Sequence, residues 1–158
     1  MELVPFESSH YSLLMDWISS PELNYQWGGP AYTYPLTEEQ ISTHCSDPDT
    51  FPFLFRVHGQ YAGFIEYRKL DPVTCRICRV LVIDSFQGQG LSKSMLRLVM
   101  ERAKQQTNCH TFSLCVFDHN EAAKALYKSL GFEIVSIERR AEKICNKYWT
   151  AVEMIAQL

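Results

Sequence analysis

The segment Val80-Leu81-Val82-Ile83-Asp84-Ser85-Phe86-Gln87-Gly88-Gln89-Gly90-Leu91-Ser92 constrains this chain more than any other. An apolar run suited to a buried strand enters a loop with glycines at 88 and 90, which opens directly into a helical pattern. Small residues there leave backbone N–H groups uncovered at a helix start. Those donors and the positive end of the helix dipole form an anion site that suits a pyrophosphate. A corner that merely turns the chain is the competing explanation.

Three phosphate-binding loops fit in outline. A Walker loop ends in Gly-Lys-Ser/Thr, but Leu91 follows Gly90. A dinucleotide fingerprint needs a glycine where Lys93 stands. The pattern that remains is Gln/Arg-x-x-Gly-x-Gly/Ala, met by Gln87, Gly88, Gln89, Gly90, Leu91 and Ser92, with serine in the last place. Further along, Asn120-Glu121-Ala122-Ala123-Lys124-Ala125-Leu126-Tyr127-Lys128-Ser129-Leu130-Gly131-Phe132 forms a second unit. Its Asn120, Ala123 and Tyr127 recur at i, i+3 and i+7, one face of a helix. A polar group at the helix start can bond an extended ligand, and a small residue lets that ligand pass. Tyr127 is then either a phenolic proton donor or a core aromatic.

The rest of the chain alternates both periods. Leu3 to Phe6 reads as a strand. Apolar residues at 13, 14, 17 and 18 read as a helix capped by Ser8 or Ser9, with Pro21 just beyond its end. Tyr25 to Pro35, rich in aromatics and breakers, reads as a loop, and Thr37-Glu38-Glu39-Gln40 as a capping box opening another helix. Residues 51–70 form two strands around a His58-Gly59-Gln60 turn. Cys75 to Asp84 is continuously apolar enough for a strand buried on both faces. Helix (88–105), strand (112–117), helix (120–130) and two strands (132–137 and 148–155) complete the order. One α/β (α+β) domain over 1–158 follows, with about four helices.

Composition narrows the partners. With 15 basic and 18 acidic residues among 158, net charge is −3 and no basic tract offers a footprint for nucleic acid. No run of 18 apolar residues is present, and Met1-Glu2-Leu3-Val4-Pro5 is no signal peptide, so a cytoplasmic location and no membrane partner are expected. Cysteines at 45, 75, 78, 109, 115 and 145 include a single CxxC, Cys75 to Cys78, without the second pair a zinc site needs. Reduced cysteines packing as small hydrophobes, and no metal, are expected.

The two motif segments together resemble the GCN5-related N-acetyltransferase (GNAT) superfamily, and the resemblance covers residues 79–135. It implies a central mixed, mostly antiparallel sheet splayed between two parallel strands. It implies acetyl-CoA as co-substrate, with the pantetheine arm in that gap. Val82 and Ile83, Gln87 to Ser92, Asn120, Ala123 and Tyr127 would then hold the cofactor. A backbone N–H near Val82 would polarise the thioester, and Tyr127 would protonate the leaving thiolate. The acceptor is a primary amine of a small molecule or protein, attacking directly in a ternary complex. Cys78 and Cys115 need not be nucleophiles.

Many members carry a glutamate on the strand before the glycine loop as base. Arg79 and three apolar residues stand there in this sequence. Glu66 on the preceding strand is the substitute base, or else an exposed carboxylate paired with Arg68 or Arg79. His119 is a further candidate base, or a loop histidine. Trp27, Tyr32 and Tyr34 would shape the acceptor side by stacking on a cation, or form a lid over the core. Trp149 is expected in the core. A non-catalytic acyl-CoA-binding module, or transfer of another acyl group, stays open, as does a homodimer through terminal strands.

Overall fold

The computed structural model describes residues 1–144 and 146–158, with the side chains of 140–143 left out. Seven strands form one sheet: β1 (Glu2–Pro5), β2 (Thr50–Val57), β3 (Gln60–Lys69), β4 (Thr74–Val82), β5 (Thr111–Phe117), β6 (Glu133–Ile144) and β7 (Lys147–Gln157). Their order across the sheet is β1-β2-β3-β4-β5-β7-β6. Every neighbouring pair is antiparallel except β4 and β5, which run parallel. The expected mixed sheet is therefore observed. β7 lies inside the sheet and β6 at its edge, so only one of the last two strands is free to pair elsewhere.

Five α-helices accompany the sheet: α1 (Tyr11–Trp17), α2 (Pro21–Gly28), α3 (Glu38–Cys45), α4 (Leu91–Thr107) and α5 (Glu121–Lys128). The expected four becomes five because Tyr25 to Gly28 are helical rather than loop. Ser20 caps α2 by accepting the Leu23 N–H at 3.1 Å, and Pro21 sits in its first turn, where a missing N–H costs nothing. Pro21 thus starts a helix rather than following one. The first helix is not capped by Ser8 or Ser9. These begin a short 3₁₀ turn, where the Glu7 N–H donates to His10 Nδ1 at 3.1 Å. Thr37 does cap α3, accepting the Gln40 N–H at 3.2 Å.

α4 buries Leu91, Met95, Leu96, Val99, Met100 and Ala103 against the sheet. It shares a core with Tyr67, Ile77, Phe112 and Met154. On the other side Leu14, Ile18, Trp27, Tyr32 and Ile41 cover Leu54 and Phe64. A third, smaller cluster joins Tyr25, Phe117 and Trp149, so Trp149 is core as expected.

The parallel pair makes the site. β4 and β5 are in register from Thr74↔Thr111 to Ile77↔Leu114, and pairing ends there although both strands continue. β4 beyond Ile77 is therefore not buried on both faces. Arg79, Val80 and Leu81 are half-buried, because one side of the strand has lost its neighbour. The departure coincides with a bulge: Phe64 faces Leu81 and Glu66 faces Cys78, so Arg79 and Val80 oppose Ile65 alone. Arg79 takes φ +53°, a conformation that a non-glycine residue rarely adopts. At Gly63, a side chain would run into the carbonyl oxygen of Leu81, so only glycine lets β3 approach the bulged strand.

Candidate active site

A cleft of about 420 Å³ opens where β4 and β5 part. Its walls are Val80 to Val82 of β4 and Leu114 to Phe117 of β5. Its rim is the glycine loop with the start of α4 on one side and α5 on the other. Of the cofactor residues expected from sequence, Val82, Gln87, Gly88, Gly90, Leu91, Ser92, Asn120, Ala123 and Tyr127 line it. Ile83 and Gln89 do not. The Ile83 N–H donates to Ala62 O at 3.0 Å, and the exposed Gln89 side chain turns back to Ser85 O at 3.4 Å.

The loop is built for close backbone approach. Gly88 and Gly90 take φ +75° and +71°, and a Cβ at either would meet nothing within 4 Å, so backbone conformation rather than crowding calls for glycine. Gly90 is the N-cap of α4, and no side chain caps that helix end. Its first N–H groups remain available to an anion. Gln87 fixes the loop to the strand through Nε2, which donates to Val82 O and to Asp84 Oδ1, both at 3.0 Å. In antiparallel pairing, hydrogen-bonded and non-bonded positions alternate. Because Ile83 bonds to β3, the peptide groups of Val82 turn the other way, towards the opening.

On the far rim, Asn120 Oδ1 accepts the Ala123 N–H at 3.2 Å and starts α5. Two helical turns after Asn120, Tyr127 is buried yet touches the cleft, and burial pushes its hydroxyl up to about 12. Among the described residues that hydroxyl makes no hydrogen bond. A phenol in this state keeps its proton across the physiological range.

A second recess of about 200 Å³ lies behind the first, between the end of α2 and the separating strands. Trp27, Ile77, Arg79, Cys115, Val116 and Phe117 border both spaces. The two spaces therefore meet between β4 and β5.

Beside this junction sits a buried ionic cluster. Glu66 is 0% exposed. His44 Nε2 lies 3.0 and 3.1 Å from its two oxygens, and Arg79 Nη1 donates to Oε1. Glu66 is thus not an exposed carboxylate. It pairs with Arg79, whereas Arg68 pairs with Asp47 at 3.2 Å. The aromatics divide. Trp27 borders both cavities. Tyr32 is buried, stacked on Trp27 at 5.3 Å, and the cation above its ring at 5.5 Å is the chain's own Arg79. Tyr34 is exposed, donates to Ser19 O at 3.1 Å and lines neither cavity. His119 is exposed, lies against Phe117 and Trp149, and lines neither space.

Gln26, Arg76, Cys115 and Phe117 are site residues that sequence reading passed over. The register of β5 with β4 would have been needed to find them. None of the five described cysteines is in a disulfide, and Cys75 and Cys109 are buried in the core. Cys145 lies outside the described residues. Among the described residues no group of three His, Cys, Asp or Glu could hold a metal, and no helix is long and apolar enough to cross a membrane.

The family model described as the acetyltransferase (GNAT) family matches residues 13–132. An uncharacterised N-acetyltransferase of Lactobacillus delbrueckii subsp. lactis is 27% identical over 103 residues, 61% of this chain and 59% of the relative. Spermidine N(1)-acetyltransferase of Escherichia coli K12 is 23% identical over 133 residues, covering 84% of this chain and 72% of the relative. Among solved structures, spermidine N-acetyltransferase from Vibrio cholerae in complex with CoA and spermine superposes with a TM-score of 0.83. It shares 15% identity, over 98% of this chain and 94% of that one, a likeness of fold.

Proposed function

We propose that this chain, which belongs to the acetyltransferase (GNAT) family, transfers an acetyl group from acetyl-CoA to a primary amine by direct attack in a ternary complex. The observation that carries this reading is the shared opening between β4 and β5, reached by the glycine-loop cleft on one side and the smaller recess on the other. A single N-acetyltransferase domain over 1–158, acting in the cytoplasm, belongs to the same proposal.

The residues fit an adenosine pyrophosphate followed by an extended thiol arm. The uncapped start of α4 and the Gly88–Gly90 backbone would hold the pyrophosphate. Ala123 would leave room for the arm, and the Val82 N–H, turned towards the opening, would donate to the thioester carbonyl, where a fixed donor stabilises developing negative charge. The bound thioester supplies an activated acetyl group. As nitrogen bonds to the carbonyl carbon and the carbon–sulfur bond breaks, Tyr127, held neutral by burial, gives its proton to the departing sulfur and recovers one from the acetylated nitrogen through solvent.

Among the described residues no carboxylate lines either cavity. Arg79 borders both, but Glu66 balances its charge. The acceptor amine therefore gives up its proton to solvent before attack. Glu66 acts through Arg79: it positions the guanidinium rather than touching the amine.

Thermal unfolding with acetyl-CoA, CoA and NAD tests the cofactor half. A ligand at about 100 times its dissociation constant adds roughly 2.7 kcal/mol, a shift on the order of 5 °C at this size. Thiol release on an amine panel tests the transfer. No shift with either CoA species removes the reading, and a shift without release on any amine leaves an acyl-CoA-binding module.

A further inference from the structure

The recess behind the opening has an uneven charge. Its ionisable lining, cysteines apart, consists of Arg76 and Arg79. The two acids close by are committed elsewhere. Glu66 is held by His44 and Arg79. Glu153 accepts from Arg76 Nη2 at 2.6 Å and from Ser136 Oγ at 3.3 Å.

The guanidinium groups keep unused donors. Arg76 is fixed by Nε to Ser113 Oγ at 3.2 Å and by Nη2 to Glu153, leaving Nη1 without a bond among the described residues. Arg79 Nε is buried with no hydrogen-bond partner. A side chain clamped on two sides with one donor edge unspent is pre-organised for a planar anion. The opposite polarity comes from the C-terminal end of α2, Gly28 to Pro30, where a helix presents its last carbonyls.

We propose that the acceptor is an amine bearing a carboxylate a few atoms away, as in an amino acid or short peptide, with the Arg76 guanidinium recognising the carboxylate and Arg79 adding positive charge beside it. The amine lies by the end of α2 and the β4–β5 opening. A polyamine, the acceptor named for the Escherichia coli and Vibrio cholerae relatives, brings second and third ammonium groups that find no carboxylate in this recess. Burying them unpaired beside two guanidinium groups is strongly unfavourable. This inference rests on the acetyltransferase reading above.

The test measures kcat/KM by thiol release with acetyl-CoA and four acceptors: a dipeptide, its methyl ester, an alkyl monoamine and spermidine. The expected result is a dipeptide at least tenfold above its ester and above spermidine. Arg76→Gln should erase the acid-over-ester ratio through KM, and Arg76→Lys should restore part of the ratio. Spermidine equal to or better than the dipeptide overturns the proposal, as does an unchanged ratio in Arg76→Gln. If no amine is acetylated, the transferase reading fails on its own. Thermal unfolding of the CoA-saturated protein with N-acetyl-dipeptide or N-acetylspermidine then decides this inference. A shift with the acid alone supports it, and any other pattern overturns it.

Discussion

Trp27 donates its indole N–H to the carbonyl oxygen of Arg79 at 3.0 Å, joining α2 to the bulge of β4. The bond spans 52 positions of sequence and holds the wall shared by both cavities. Trp27→Phe keeps an aromatic ring against Tyr32 and Phe64 but strands that carbonyl. A half-buried acceptor left without its donor costs about 1–2 kcal/mol. Urea unfolding should show a lower midpoint with an unchanged m-value. KM should rise for the acceptor more than for acetyl-CoA, because α2 faces the recess. A rise for acetyl-CoA alone would place Trp27 on the cofactor side only.

Glu66→Gln separates two roles that sequence left open. The substitution keeps the shape and removes the charge that balances Arg79, whose side chain is 13% exposed beside a carboxylate at 1%. Breaking a buried pair from one side costs about 3 kcal/mol, read from denaturant unfolding. The pH–rate profile of the remaining folded enzyme should keep its shape, since no substrate atom meets Glu66. Loss of the acidic limb with stability intact would instead make Glu66 the base.

Tyr127→Phe tests the proton donor and a pH dependence together. Burial pushes the Tyr127 hydroxyl up to about 12, whereas an unfolded tyrosine ionises near about 10. The folded chain thus holds this proton more tightly. The stability it contributes is complete below about pH 10 and drains away as pH climbs towards about 12. By pH 11 the wild type should have lost about 1 kcal/mol more, relative to pH 8, than the phenylalanine variant. Turnover at neutral pH should fall about 100-fold with acetyl-CoA affinity nearly unchanged. Undiminished turnover would reduce Tyr127 to a wall of the cleft.

What was legible follows from how local each determinant is. The Gln87–Ser92 loop and the Asn120–Phe132 unit each contain their own glycine geometry or helix cap, so both are visible in sequence, and their joint resemblance to the family gave them a role. The parallel pair inside a mixed sheet followed from the motif match, whereas the order of the strands did not. α2 was misread because Gly28, Gly29 and Pro30 dominate the stretch, although Ser20-Pro21 is an ordinary helix start. Glu66 could not be placed from β3 alone. Its burial depends on His44 from α3 and on Arg79, whose positive φ arises only when β3 and β4 pair with a bulge. Arg76 reads as an exposed strand residue until β5 and β7 bring Ser113 and Glu153 beside it.

Gly90→Ala tests the loop with the smallest change available. Gly90 takes φ +71°, where an alanine is strained by about 1–2 kcal/mol. A Cβ there meets nothing within 4 Å, so the fold has no steric reason to collapse. The added methyl group and the relaxing backbone both displace the N–H groups that open α4. Unfolding should therefore show a modest loss of stability without ligand, and calorimetry at least a tenfold weaker affinity for acetyl-CoA. Dephospho-CoA still carries the pyrophosphate and should weaken by the same factor, whereas pantetheine, which lacks it, should bind as before. Equal weakening of all three would mean that the loop shapes the whole cleft rather than gripping the pyrophosphate.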